Sequence, residues 1–301
     1  MKLHILGCTA ATPGTVTNPT SQILETKGHM FMIDCGEGSQ VQLRRNRIKF
    51  SRINHIFISH LHGDHVFGLI GLVSTFTLLN RLDDLHIYGP VGIKEMILLQ
   101  LKLGNSYTGY KLYFHELSSK ESELIFEDKH VTVKTIPLKH RVYTNGFLIE
   151  EKEEVYQLNL DALNHYEVPV VYYNKAKQGG TITLENGQVL TSEDLTFGKI
   201  PQKSYAFCSD TAFHPPIVEV IQGASVLYHE ATFLKKDQEL AKKTLHSTAQ
   251  EAAEIAKQAQ VGQLILGHFS SRYKSFQLFK DEACPIFERT EIAQEGKTFE
   301  F

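Results

Sequence analysis

Cysteine is scarce and scattered. The 301 residues hold four, Cys8, Cys35, Cys208 and Cys284, and no two form a C-x-x-C pair. That spacing argues against a disulfide framework or a cysteine zinc site and fits reduced thiols in a cytoplasmic protein. Long apolar runs are missing too. Met1 to Gly7 is too short an apolar stretch for a secretory signal. Val66 to Leu79, the longest weakly polar run, falls short of the ~20 residues that span a bilayer. It reads as a buried helix, and no membrane association is expected. Charge of one sign is also lacking. The net charge is −3 with histidine neutral, so bulk charge draws in no nucleic acid, and any such binding must come from local patches. No internal repeat or low-complexity tract is present.

What stands out is histidine, fifteen in all. Its placement follows the apolar strands. Lys2 to Leu6, Ser21 to Thr26 and His29 to Asp34 read as strands, the last two joined through Lys27-Gly28 as a hairpin. Val91 to Leu103 has helical spacing, and strand and helix signals alternate from Ser204 to Leu266. That alternation predicts an α/β fold in layers. Between them, residues 150–201 change character: an acidic cluster of Glu150, Glu151, Glu153 and Glu154, then tyrosines, lysines and a hairpin around Asn186-Gly187. This segment reads as an insertion between 1–149 and 202–301. Several strands end in a metal-competent or acid-base side chain. Asn54 to Ser59 delivers His60, Val131 to Lys139 delivers His140, and Ser204 to Ser209 delivers Asp210. Ser225 to Tyr228 delivers His229 and Glu230, and Gln263 to Gly267 delivers His268. Ligand sites in layered α/β proteins lie beyond the carboxyl ends of strands.

The run His60-Leu61-His62-Gly63-Asp64-His65 concentrates this chemistry. His60 and His62 leave one face of an extended chain and can share one ion. Gly63 permits a sharp turn, after which Asp64 and His65 point elsewhere, toward a second ion. Imidazole and carboxylate suit Zn²⁺, with Mn²⁺ as a possible substitute. Each ion needs further ligands, and His140, Asp210 and His268 are the candidates by placement. An aspartate can bridge two cations. Two metals roughly 3.5–4 Å apart can ionise a shared water and clamp a phosphoryl or acyl oxygen.

The HxHxDH run resembles the signature of the metallo-β-lactamase superfamily. Further segments resemble one branch of it, the ribonuclease Z family of tRNA 3′-processing endonucleases: Asp34-Cys35-Gly36-Glu37-Gly38-Ser39-Gln40, Tyr228-His229-Glu230-Ala231-Thr232-Phe233, His246-Ser247-Thr248-Ala249 and Gly267-His268-Phe269-Ser270-Ser271-Arg272-Tyr273. The resemblance implies a four-layer αβ/βα sandwich with an inserted protruding arm, a homodimer, and cleavage of precursor tRNA 3′ of the discriminator base. It implies two Zn²⁺ per subunit. One is held by His60, His62 and His140, the other by Asp64, His65 and His268, with Asp210 bridging and Asp64 as proton acceptor. The sequence departs from the family in two places. The stretch Glu167 to Gly180 lacks the Gly-Pro pair of the family's arm, though it offers Lys175 and Lys177 to an RNA backbone. Thr17 to Ser21 lacks the usual arginine.

Hydrolysis also needs a leaving-group acid. His246 fits, on a loop before a helix whose Thr248-x-x-Glu251 start reads as a capping box, with Ala252, Ile255, Ala256 and Ala259 as its buried stripe. Glu230 would orient His246 and raise its pKa. Arg272 is a phosphate clamp by type. Arg44, Arg45, Arg47, Lys49 and Arg52 make a basic run of five in nine residues, suited to an RNA backbone. The rival readings are a small-molecule phosphodiesterase of the same superfamily and a non-catalytic tRNA-binding protein.

Overall fold

Two seven-stranded sheets pack face to face in the computed structural model, which describes residues 1–15, 17–152 and 155–301. The first sheet runs in the order Thr298–Glu300, Lys2–Gly7, Ser21–Thr26, His29–Cys35, Ile53–Phe57, Leu85–Pro90, Leu112–Leu117. The second runs Thr290–Ile292, Gln263–Gly267, Val226–Glu230, Ser204–Cys208, Asn145–Glu151, Val131–Pro137, Leu124–Glu127. Alternation decides which side chains meet. Phe31, Ile33, Phe57 and Tyr88 of the first sheet face Val133, Phe147, Phe207 and Tyr228 of the second, and all are buried. The opposite faces carry helices. Gly63–Leu78 and Ile93–Leu103 cover the first sheet through Val66, Leu69, Val73, Ile93 and Ile97. Ala249–Gln258 and Gln277–Ala283 cover the second through Ala252, Ala256 and Phe279. The result is the four-layer sandwich that the resemblance implies.

The capping box of helix Ala249–Gln258 is present in both directions, Thr248 Oγ1 accepting from the Glu251 amide and Glu251 accepting from Thr248. Helix Gly63–Leu78 departs from the expectation of full burial. Only the stripe His65, Val66, Leu69, Leu72, Val73 and Phe76 is buried, while Phe67 and Leu78 are exposed, because one side of the helix faces away from the sheet. The region from 155 to 200 has its own core of Leu163, Val168, Ala176, Ile182, Leu190 and Leu195, and two small antiparallel sheets. Glu150 and Glu151, assigned to the insertion on sequence, are instead the last residues of a main-sheet strand, paired with Thr132 and Val131. Glu153 and Glu154 lie outside the described residues.

Candidate metal centre

Strand ends from both sheets converge on one cleft. Ile53–Phe57 stops just short of Ser59 and His60, and His62 is the N-cap of helix Gly63–Leu78. Asp64 therefore sits in the first helical turn, where the helix dipole favours a carboxylate. His140 follows Val131–Pro137, Asp210 follows Ser204–Cys208, and His268 follows Gln263–Gly267. The potential ligand atoms of His60, His62, His140 and Asp210 lie within 4.8 Å of one another, as do those of Asp64, His65 and His268. Asp210 joins the two groups. Its Oδ2 is 3.7 Å from His60 Nε2 and 3.8 Å from His140 Nε2, and its Oδ1 is 3.1 Å from both His65 Nε2 and His268 Nε2.

Four of the five imidazoles have their outer nitrogen spoken for, while His62 turns its Nδ1 to His60 Nε2 at 2.9 Å. His65 Nδ1 donates to Asp34 Oδ2 at 2.6 Å, and His140 Nδ1 donates to the Leu245 carbonyl at 3.0 Å. Ser59 Oγ donates to Asp34, so it accepts from His60 Nδ1 at 3.0 Å. Thr232 Oγ1 donates to Glu230, so it accepts from His268 Nδ1 at 2.9 Å. These bonds put the proton on Nδ1 and aim a lone pair on Nε2 inward. Nε2 of His65, His140 and His268 is buried with no hydrogen-bond partner among the described residues. Buried acceptors without donors are costly, and cations bound here would supply what they lack. The donor set of imidazoles and carboxylates fits divalent cations.

Electrostatics point the same way. Burial alone would raise Asp210, but His268, His65 and His60 hold it well below the usual carboxylate range. Asp64 is likewise low, against burial, through His268 and His65. Burial opposes a charge on His65, yet Asp210 and Asp34 draw it well above its ordinary value. The locus attracts positive charge. Strain gathers here as well. Ala11, Asp34, Asp210, Leu245 and His268 all have non-glycine backbone at φ between 54° and 63°. Such residues cost about 1–3 kcal/mol each and cluster at functional sites.

His246 differs from the ligands. It lies close enough to Asp210 and His268 to form a third grouping, but its Nδ1 donates to Glu230 Oε1 at 2.8 Å. Burial would lower its pKa, and the Glu230 carboxylate outweighs that, pushing it up to about 9. Glu230 is buried and also accepts from the backbone amides of Thr211 at 2.7 Å and Ser247 at 3.2 Å. His229 turns away and bonds the Glu230 carbonyl at 2.7 Å. The cleft above holds about 480 Å³ and is lined by His62, Asp64, Phe67, Arg141, Phe233 and His246 among others.

Not every predicted residue joins it. Arg272 stands over the Phe233 ring at 5.3 Å and reaches Asp237 at 3.9 Å. Lys175 and Lys177 are exposed on Tyr173–Lys177, outside the cleft lining. The sequence reading missed Asp34, Ser59, Thr232, Arg141 and the Leu245 carbonyl. Asp34 and Thr232 lie inside the quoted segments, so a question about what orients each imidazole would have found them.

Residues 1–176 match the family model described as "Anti-Pycsar protein Apyc1". The chain is 49% identical to a ribonuclease Z of Bacteroides thetaiotaomicron over 98% of this chain and 93% of that protein. It is 44% identical to a ribonuclease Z of Porphyromonas gingivalis over 97% of this chain and 96% of the other. The crystal structure of human tRNase Z, short form, superposes with a TM-score of 0.74 at 27% identity, covering 100% of this chain and 99% of that one. Through residues 1–176 the chain belongs with the anti-Pycsar protein Apyc1 family, and along nearly its whole length it belongs to the ribonuclease Z family, with the metallo-β-lactamase fold.

Proposed function

We propose that this hydrolase removes the 3′ trailer from precursor tRNA, cutting 3′ of the discriminator base. Family membership over nearly the whole chain supports that reaction. The observation that carries the mechanism is Asp210, whose two oxygens face two separate ligand groups. His60, His62 and His140 would hold one Zn²⁺, and Asp64, His65 and His268 the other, with Asp210 between; Mn²⁺ suits the same ligands. When bound, such cations would stabilise charge on a phosphoryl group and acidify the attacking water.

The remaining steps fall to side chains. Asp64, at the cleft wall, accepts the proton of the attacking water. Water oxygen bonds to phosphorus as the bond to the tRNA 3′ oxygen breaks. His246, protonated at neutral pH by its bond to Glu230, gives its proton to that oxygen. The products are a tRNA 3′-OH and a trailer with a 5′-phosphate. Glu230 keeps the imidazole in place and charged.

RNA binding rests on local patches, since the net charge is −3. Arg44, Arg45, Arg47, Lys49 and Arg52 are all exposed on and after helix Ser39–Arg45, whose preceding Glu37 lines the cleft. With Arg272, and with Lys175 and Lys177 on the inserted region 155–200, they form the backbone contacts of this reading. A homodimer fits the exposed apolar residues Leu78, Leu82, Leu98, Leu99 and Leu103 on or beside two neighbouring helices. Reduced, buried Cys8, Cys35 and Cys208 suit the cytoplasm.

The test is a cleavage assay on precursor tRNA with both product ends mapped. The expected ends are a 3′-OH at the discriminator and a 5′-phosphate on the trailer. Cleavage of a small chromogenic diester without precursor cleavage would support a small-molecule phosphodiesterase instead. His246→Ala should cut turnover about 10²–10⁴-fold with metal content intact. Lost metal would sink its role as acid.

A further inference from the structure

We infer that Ala11 is a positioning residue whose backbone amide, held in a strained turn, fixes the Asp64 carboxylate for the second ion. The inference rests on reading Asp64 as a ligand. The Ala11 N–H donates to Asp64 Oδ2 at 2.8 Å. That same oxygen faces His65 Nε2 at 3.5 Å and His268 Nε2 at 3.6 Å, so it is the ligand atom of its group. Apart from those two imidazoles, no other donor reaches this carboxylate among the described residues. A carboxylate on a helix's first turn can rotate about χ2. One directed hydrogen bond removes that freedom, as outer partners do for metal ligands generally.

The turn exists to aim this amide. Thr12 N–H bonds Ala10 O at 2.8 Å across Ala11, and Ala11 has φ +63°. A three-residue turn with positive φ at its centre is the strained form. The side chain of Ala11 is exposed, so packing does not account for the conformation. Both roots of the loop are anchored. Ala10 N–H donates to Phe269 O at 2.9 Å, and Phe269 N–H donates to Cys8 O at 3.1 Å, which ties the loop to the residue after His268. At the other root, the Asn18 carbonyl accepts from the Cys8 and Thr9 amides at 3.2 Å, and Asn18 Nδ2 donates to Glu295 Oε2 at 2.8 Å. Anchored at Ala10 to the residue after His268, the strained turn presents a fixed donor to Asp64, so both groups it joins lie on the side of the second ion.

Backbone conformation, not the methyl group, is then what matters. Glycine adopts positive φ freely and β-branched residues resist it. Ala11→Gly should keep the amide in place, and Ala11→Val should lose it. The probe is Zn²⁺, measured by competition with a chromophoric chelator. Wild type and Ala11→Gly should hold two ions per chain. Ala11→Val should keep one and bind the other about 10–100-fold more weakly. In the Zn²⁺-loaded wild type, the exposed Ala11 amide should exchange its hydrogen slowly, a reading that needs no variant to fold. Two tightly held ions in Ala11→Val, equal weakening in Ala11→Gly, or fast exchange of that amide would each overturn the inference. A wild type that binds a single ion would overturn the two-ion reading and this inference together. Precursor cleavage is not among these readouts, so loss of the RNA reading would leave the inference standing.

Discussion

The protein holds two gatherings of histidines, one where strand ends of both sheets converge and one across the first sheet, and among the described residues only the first groups side chains that could hold a metal. At the carboxyl ends of the strands, His60, His65, His140 and His268 each fix Nδ1 on a hydroxyl, carboxylate or carbonyl. Across the inner face of the sheet, His29, His55, His86 and His115 sit on four adjacent strands. There His86 Nδ1 and His115 Nε2 bond one another at 3.0 Å, and His55 stacks on His86 at 5.0 Å. Tyr88 and Tyr113 stack on the same row, and His29, at its end, bonds the Asp128 carboxylate at 2.8 Å. The imidazole is the same in both places. What separates ligand from packing is the second hydrogen bond and the carboxylates that balance positive charge.

The largest test of that difference pairs one residue from each group. His65→Ala should lose an ion and lower cleavage by about 10³-fold, on the scale of removing a main stabiliser of transition-state charge. His86→Ala should leave both quantities unchanged. Metal analysis with single-turnover assays reads both, and ion loss in His86→Ala would break the comparison.

A finer test removes only the outer partner. Asp34→Asn keeps the shape but loses the charge that His65 Nδ1 bonds. The affinity for an ion at His65 should fall about 10–100-fold, as measured by chelator competition. An unchanged affinity would mean that Asp34 serves strand packing alone.

The smallest effect concerns acid. Burial first, then His86, His29 and His115, push His55 down to about 4 from an ordinary 6.5. A histidine lowered on folding takes up protons in the unfolded chain first. Its neutral packing thus contributes fully above about pH 6.5, and that contribution is lost as pH falls toward 4. The loss is about 3–4 kcal/mol at most. Urea midpoints at pH 7 and pH 4.5 should draw closer together in His55→Phe than in wild type. An equal drop in both would remove the row as a source of acid lability.

Short-range features were legible in the chain. The run His60 to His65, the hairpin Ser21–Thr26 with His29–Cys35, and the capping box at Thr248 all depend on residues a few positions apart. Strands Leu85–Pro90 and Leu112–Leu117 and the two C-terminal strands escaped notice. They are short, and their pattern competes with adjoining helical and turn signals. Helix Gly63–Leu78 looked wholly buried because composition does not say which face meets a sheet.

By itself, then, the sequence determined which side chains could serve as ligands, their strand-end placement and the family. Adjacent positions on an extended strand or a helix turn already share a direction, so spacing alone says what chemistry they can reach. Only the tertiary structure decided which nitrogen each histidine offers. His140 is oriented by a carbonyl 105 residues away, His268 by a hydroxyl 36 away, and His65 by a carboxylate 31 away. Asp210 links the two ligand groups only because strands from both sheets end together. Hydrogen bonds are fixed by distance in space, and separation along the chain carries no record of them.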